Sequence, residues 1–234
     1  MERDIYSIKN KISSIKWPKT FEEAKSQQEK EASNLILEGT LSGVKHIAGV
    51  DMSHAQGSSQ LYAAVVVMKA HNLEVVESAY AVQEMTFPYV PGYLSYREGP
   101  VLVAAIKKIN TLVDLWFFDG QGLAHPRGFG LACHMGLLLG KASIGVAKKK
   151  FVGEHEHVGQ KAGNRKSLIY DNHVVGEVLR TKNKVSPIYI SPGHKISVKE
   201  ATTWAFKYAK GWRIPEPTRQ AHMHVNRYRK ECGG

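Results

Sequence analysis

The chain has 234 residues, 43% of them hydrophobic and 23% charged, with a formal net charge of +11. Folding buries about 70% of a chain of this length, enough for one sizeable core, and so balanced a composition excludes disorder, collagen and coiled coil. No apolar run reaches the roughly 18 residues of a membrane span, the start MERDIYSIKNK lacks a signal-peptide core, and Cys133 and Cys232 make neither a disulfide framework nor a four-cysteine zinc site. The expectation is one domain over residues 1–234, in the cytoplasm and without a membrane partner. The positive excess suits a polyanion, nucleic acid first, or else serves solubility alone.

Residues 19–38 carry strong helix formers, with Thr20 as N-cap and Glu23 three places on. HIAGVDMS is then an apolar run holding the single acid Asp51. QLYAAVVVMKA and LEVVESAYAV follow, rich in β-formers and parted by the turn-like His71-Asn72, so three strands form an antiparallel meander.

After Pro91 the period becomes helical. Leu94, Val101, Leu102, Ala105 and Ile109 predict a helix over 95–109, with Pro100 in its early turns. DLWFFDG reads as a buried strand ending in Asp119. The loop GQGLAHPRGFG leads into a buried helix, ACHMGLLLG, and ASIGVAKKK is a further strand. Alternating strand and helix implies parallel pairing, so the sheet is mixed α/β: an antiparallel meander followed by parallel strands. A weak hairpin lies in the polar stretch 153–185. SPIYISPGH is a strand running into a loop. Ser197 caps a helix, with Glu200 completing a capping box, and the tail RIPEPTRQAHMHVNRYRK is basic.

Asp51 and Asp119 each sit at the end of, or within, an otherwise buried β-run. A carboxylate there needs backbone donors at a turn or a cation. Two of them on adjacent strands repel unless a divalent ion neutralises the pair, and oxygen donors favour Mg²⁺ or Mn²⁺ over zinc. Glu98 opens a helix, where the helix dipole alone accounts for an acid. Lys148, Lys149 and Lys150 follow a strand directly, either as a solvated run or with Lys148 set to meet a phosphate. His125 and His222 are surface side chains or site members. There is no HExxH, GxxxxGK[ST] or GxSxG string. The residues by themselves point to divalent-metal phosphodiester chemistry on nucleic acid.

AGVDMSH, FPYVPGYLSYREGP, DLWFFDGQGLAHPRGFGLACHMG, SIGVAKK, SPIYISPGHKIS and GWRIPEPTRQAH together resemble, in order, the motifs of the endonuclease V family from about Ile47 to about His222. The resemblance implies a ribonuclease H-like fold and a nuclease directed at deoxyinosine. Such an enzyme cuts the second phosphodiester bond 3′ to the deaminated base and leaves a 3′-hydroxyl and a 5′-phosphate. Some members prefer inosine in RNA, and a non-catalytic binder is the remaining alternative. It implies Asp51 and Asp119 as ligands of Mg²⁺, or of Mn²⁺ in its place, with Glu98 the third acid. His222 stands where the family has Asp or His, and Lys148 matches a basic residue at the active site. Tyr89 matches an aromatic wedge. Gly92, Leu94, Gly120 and Leu131 fall where backbone groups surround the flipped base, and His125 and Arg127 are further DNA contacts. Gln121 departs from the His of many relatives and alters the polarity of the pocket. The implied partner is DNA containing deoxyinosine, or inosine RNA, with no obligate protein partner.

Overall fold

A computed structural model describes residues 2–233. In chain order the elements are α1 (Glu2–Ser13), α2 (Phe21–Ala32), β1 (His46–His54), β2 (Gln60–Lys69), β3 (Val75–Glu84), α3 (Leu94–Ile106), β4 (Leu115–Asp119) and α4 (Leu131–Leu139). They continue with β5 (Ala142–Ala147), β6 (Arg165–Tyr170), β7 (His173–Leu179), β8 (Ile188–His194), α5 (Val198–Ala209) and α6 (Glu216–Glu231). All eight strands form one sheet in the order β3-β2-β1-β4-β5-β8-β7-β6. β1, β2 and β3 are the expected antiparallel meander, and β1, β4 and β5 run parallel. β8, β7 and β6 then add antiparallel neighbours on the far side.

Residue parity divides the core. Ala48, Val50, Trp116 and Phe118 face α3 and α4, against Leu102, Ala105, Leu131 and Met135. Ile47, Leu115, Phe117 and Ile144 face the other way, onto α5 and α6 through Ala205, Tyr208 and Ala221. The sheet is thus covered on both faces, as buried parallel strands require. This is the mixed, ribonuclease H-like α/β architecture expected. Among the described residues no helix is long and apolar enough to cross a membrane.

Several element boundaries differ from expectation for visible reasons. α2 has the Thr20–Glu23 capping box but stops at Ala32 instead of 38. Beyond it the Ile36 N–H donates to His194 Nδ1 (3.3 Å) and the Leu41 N–H to the Glu200 carboxylate (3.2 Å), which draws the chain out across β8 and α5. That contact also breaks the second capping box. Ser197 accepts from the Glu200 N–H, but the Glu200 carboxylate turns to Leu41 and to Trp204 Nε1 (2.7 Å). α3 ends at Ile106, not 109, in tight turns over Lys108 and Ile109. Ser191, Pro192 and Gly193 belong to strand β8, not to a loop after it. The basic tail is a helix, α6, and a further helix, α1, precedes the expected first one.

Candidate active site

Register brings the two aspartates together. Val50 of β1 is the pairing partner of Phe118 of β4, so Asp51 and Asp119 stand one step further along neighbouring parallel strands and point to the same face. β5 lies on the other side of β4, with Asp119 opposite Val146, and Lys148 emerges just past the end of that strand. Its ammonium reaches the Asp119 carboxylate at 2.5 Å.

The third side chain comes from α6, which crosses β1 at Gly49. A Cβ on residue 49 would overlap the carbonyl group of Pro217, so only glycine lets the helix lie this close. One turn on, His222 donates from Nδ1 to Asp51 Oδ2 (2.8 Å), and the other carboxylate oxygen accepts the Met52 N–H (2.8 Å). The far ring nitrogen of His222 faces the Asn226 amide at 3.2 Å, and Asn226 in turn accepts from the Ser53 hydroxyl (3.0 Å). One ligand atom each from Asp51, Asp119 and His222 fall within 4.8 Å of one another. Two carboxylates and an imidazole so spaced suit a divalent cation that accepts oxygen and nitrogen ligands.

Electrostatics carry the same message. Glu98 is 9% exposed near the start of α3, outside the three-atom cluster. Burial drives its pKa far up, the charges of Asp51 and Asp119 add to this, and Arg97 opposes it. Burial likewise raises Asp119, as does Asp51, against the pull of Lys148 and His222. The His222 pKa is raised, chiefly by its hydrogen bond to Asp51. Two acids that resist ionisation, Glu98 and Asp119, beside a third carboxylate form a site built for a cation.

Beside the acids opens a cavity of about 540 Å³ lined by Tyr89, Gly92, Leu94, Gly120, Leu131 and Lys148, among others. Gly92 has a φ of 86°, open to glycine and costly for other residues. Its carbonyl receives three donors: Arg127 Nη2 (2.7 Å), Gln28 Nε2 (2.9 Å) and His125 Nε2 (3.0 Å). His125 Nδ1 accepts the Arg127 N–H, so the proton sits on Nε2; burial first, and then Arg127, lowers the pKa to about 4. His125 and Arg127, expected as DNA contacts, spend these polar groups holding the pocket wall. Tyr89 stands clear at the rim, 67% exposed.

A family model described as Endonuclease V matches residues 28–223. The chain belongs to the endonuclease V family. It is 44% identical to the endonuclease V of Kosmotoga olearia over 92% of this chain and 94% of that one, and 43% identical to that of Nostoc punctiforme over 88% and 93%. Among solved structures, endonuclease V of Streptomyces avermitilis superimposes with a TM-score of 0.88 at 38% identity, covering 93% of this chain and 96% of that one. Ciona intestinalis endonuclease V, in complex with a 24mer DNA containing an inosine followed by a ribo-adenosine, gives 0.79 at 28% identity, covering 90% and 98%. Membership in the endonuclease V family makes this chain a nuclease acting on phosphodiester bonds.

Four residues of the endonuclease V site escaped the sequence reading. Gln28 lies on a helix read only for its cap, Asn226 on a tail read only for its charge, Gly49 two positions before Asp51 and Arg97 next to Glu98. Helical spacing in the tail, with Ala221 and Val225 buried four apart, is the signal that would have found α6 and with it Asn226.

Proposed function

We propose that this chain is a Mg²⁺-dependent endonuclease that recognises deoxyinosine in DNA and hydrolyses the second phosphodiester bond on its 3′ side, leaving a 3′-hydroxyl and a 5′-phosphate. The observation that carries the reading is the convergence of Asp51, Asp119 and His222 beside a cavity walled by Gly92, Leu94, Gly120 and Leu131. The inosine-containing DNA held by the Ciona intestinalis relative supports the substrate. The cavity volume lies within the range of small-molecule pockets and suits one extruded base.

Asp51 and Asp119 would hold the metal, with Glu98 behind them and His222 orienting the Asp51 carboxylate. Mg²⁺ bound there supplies the positive charge that a phosphodiester needs as it is attacked, and Mn²⁺ substitutes for it. Lys148 adds a cation beside Asp119 and is placed to meet the phosphate. Tyr89 fills the gap left by the extruded base, and the pocket wall clamped by Gln28, His125 and Arg127 surrounds that base. The enzyme works in the cytoplasm without an obligate protein partner.

The test is Asp119→Asn. It should keep affinity for an inosine strand and lose Mg²⁺-dependent nicking by about a thousandfold or more, read on denaturing gels. Undiminished nicking by the purified variant removes Asp119 from the metal. A second reading, an endoribonuclease acting on inosine RNA, draws support from the ribo-adenosine that follows the inosine in the Ciona complex. Cleavage rates on matched single strands of DNA and RNA, each with one inosine, decide between the two.

A further inference from the structure

Arg97, in the first turn of α3, is 8% exposed. Among the described residues no carboxylate lies within ion-pair distance of its guanidinium, and no hydrogen bond engages it. Its engagements are the face of the Tyr89 ring, 5.7 Å from its centroid, and the long-range attraction of Glu98. Other arginines near the cleft are committed. Arg127 holds Gly92 and Gln28, Arg213 holds the carbonyls of Ser186 and Lys148, and Arg219 is paired with Glu216. A guanidinium without a hydrogen-bonded partner keeps its whole fork of donors open to an arriving anion.

We propose that Arg97 binds a backbone phosphate of the substrate strand next to the extruded nucleotide, between the Tyr89 ring and the acid cluster. The inference rests on the reading of the chain as an inosine-directed nuclease with Tyr89 as its wedge. A guanidinium offers a planar fork of donors that fits two phosphate oxygens at once, which a lysine at this place does not. Tyr89 covers that fork in the free protein. When the ring moves into the base stack it uncovers the guanidinium, so base extrusion and phosphate capture occur together. The strand is then held one residue along the helix from Glu98, which fixes its register against the acids. Arg97 is a binding residue here, and proton transfer asks nothing of it.

The experiment measures equilibrium binding of an inosine-containing single-stranded DNA by fluorescence anisotropy, with chelator present to prevent cleavage. A set of oligonucleotides carries one neutral methylphosphonate at a time around the inosine. Wild-type protein should lose about tenfold in affinity at one position. Arg97→Met should lose a similar factor on the unmodified strand and nothing further at that position. Its plot of log affinity against log salt should be shallower by about 0.7. Arg97→Lys should keep the wild-type slope and bind more weakly for want of the fork. A wild-type slope together with wild-type sensitivity at every phosphate in Arg97→Met overturns the assignment. Should methionine at 97 prevent folding, the lysine variant decides: a blunted loss at one position supports the contact, and equal losses throughout overturn it. Mg²⁺-dependent nicking by the wild-type protein is the control. Its absence counts against the nuclease reading, and its presence beside an unaltered Arg97→Met counts against Arg97 alone.

Discussion

The imidazole of His222 and the carboxylate of Asp51 meet at 2.8 Å although 171 positions separate them in the chain. The oxygen that accepts this bond belongs to a carboxylate that a cation also needs. Because the bond raises the His222 pKa, the ring keeps its proton to a higher pH than a free histidine. Below that raised pKa the imidazolium competes with the metal, and above it the competition fades. Cation affinity should therefore weaken as pH falls from 8 to 6, with a proton released on binding. Calorimetry in buffers of different ionisation enthalpy measures that release. In His222→Asn the release should be smaller, with Glu98 and Asp119 supplying the remainder, and equal release from both proteins excludes His222 as a source.

Glu98 concerns stability. Its folded pKa lies above the unfolded one, so the fold disfavours its charged form. The metal-free protein then loses stability as pH rises past the ordinary carboxylate range, and Mg²⁺ should restore more at pH 8 than at pH 5. Glu98→Gln removes the repulsion and should raise the metal-free melting temperature, by about 2–4 °C for each kcal/mol relieved, while nicking collapses. A variant that melts at or below wild type in chelator shows that the repulsion is not there.

Gln28 joins α2 to both walls of the pocket. Its amide donates to the carbonyls of Gly92 (2.9 Å) and Phe129 (3.3 Å) and accepts from Arg127 Nε (2.6 Å). Gln28→Met keeps the volume and loses all three bonds. kcat/KM on an inosine strand should fall about tenfold, about the value of one buried hydrogen bond. The preference for inosine over adenine should shrink as well. A partly unfolded variant would lose rate on both bases alike, so an unchanged preference refutes a role in shaping the pocket.

Tyr89 is exposed on a loop held by Pro88 and Pro91, whose fixed φ limits the entropy lost on insertion. Tyr89→Ala should fold and bind Mg²⁺ as wild type does. Cleavage of inosine in duplex DNA should drop more than tenfold further than cleavage in a flexible single strand, since only the duplex has a stack to fill. Wild-type rates on both substrates would show that another group is the wedge.

His134 is wholly buried among the rings of Trp17, Tyr96 and Phe129, and neither ring nitrogen has a hydrogen-bond partner. Burial lowers its pKa to about 4, below the unfolded value near 6.5. Its neutral form is the one the fold accepts, so its contribution is complete above pH 6.5 and is lost as pH falls toward 4. The loss amounts to about 3 kcal/mol over that interval. His134→Phe should show a flatter acid limb in urea unfolding between pH 6.5 and 4. His125 and His194 titrate in the same direction and keep some slope. An acid limb as steep as wild type means that burial does not hold the His134 pKa below its unfolded value.

Local sequence specifies the kinds of element, the meander followed by parallel strands, and the acids within or ending buried β-runs, Asp51 and Asp119. These follow from local periods and from the cost of a carboxylate in an apolar run, which a single stretch of chain displays. Even the capping box at Thr20 was legible, because both of its halves lie within four residues. Where elements end was decided elsewhere: α2 yields to the pull of His194 and Glu200, which lie more than 150 positions away. The site divides in the same way. Asp51 and Asp119 are visible as anomalies in their own segments, whereas Glu98 passes locally for a helix-dipole acid and is picked out only by the family resemblance. The approach of α6 over Gly49, the turn of His222 onto Asp51, and the use of Gln28, His125 and Arg127 on one carbonyl exist only once the sheet has closed its register. Each is a contact between distant segments, and the hydrogen bonds and close packing that fix it have no trace in local spacing.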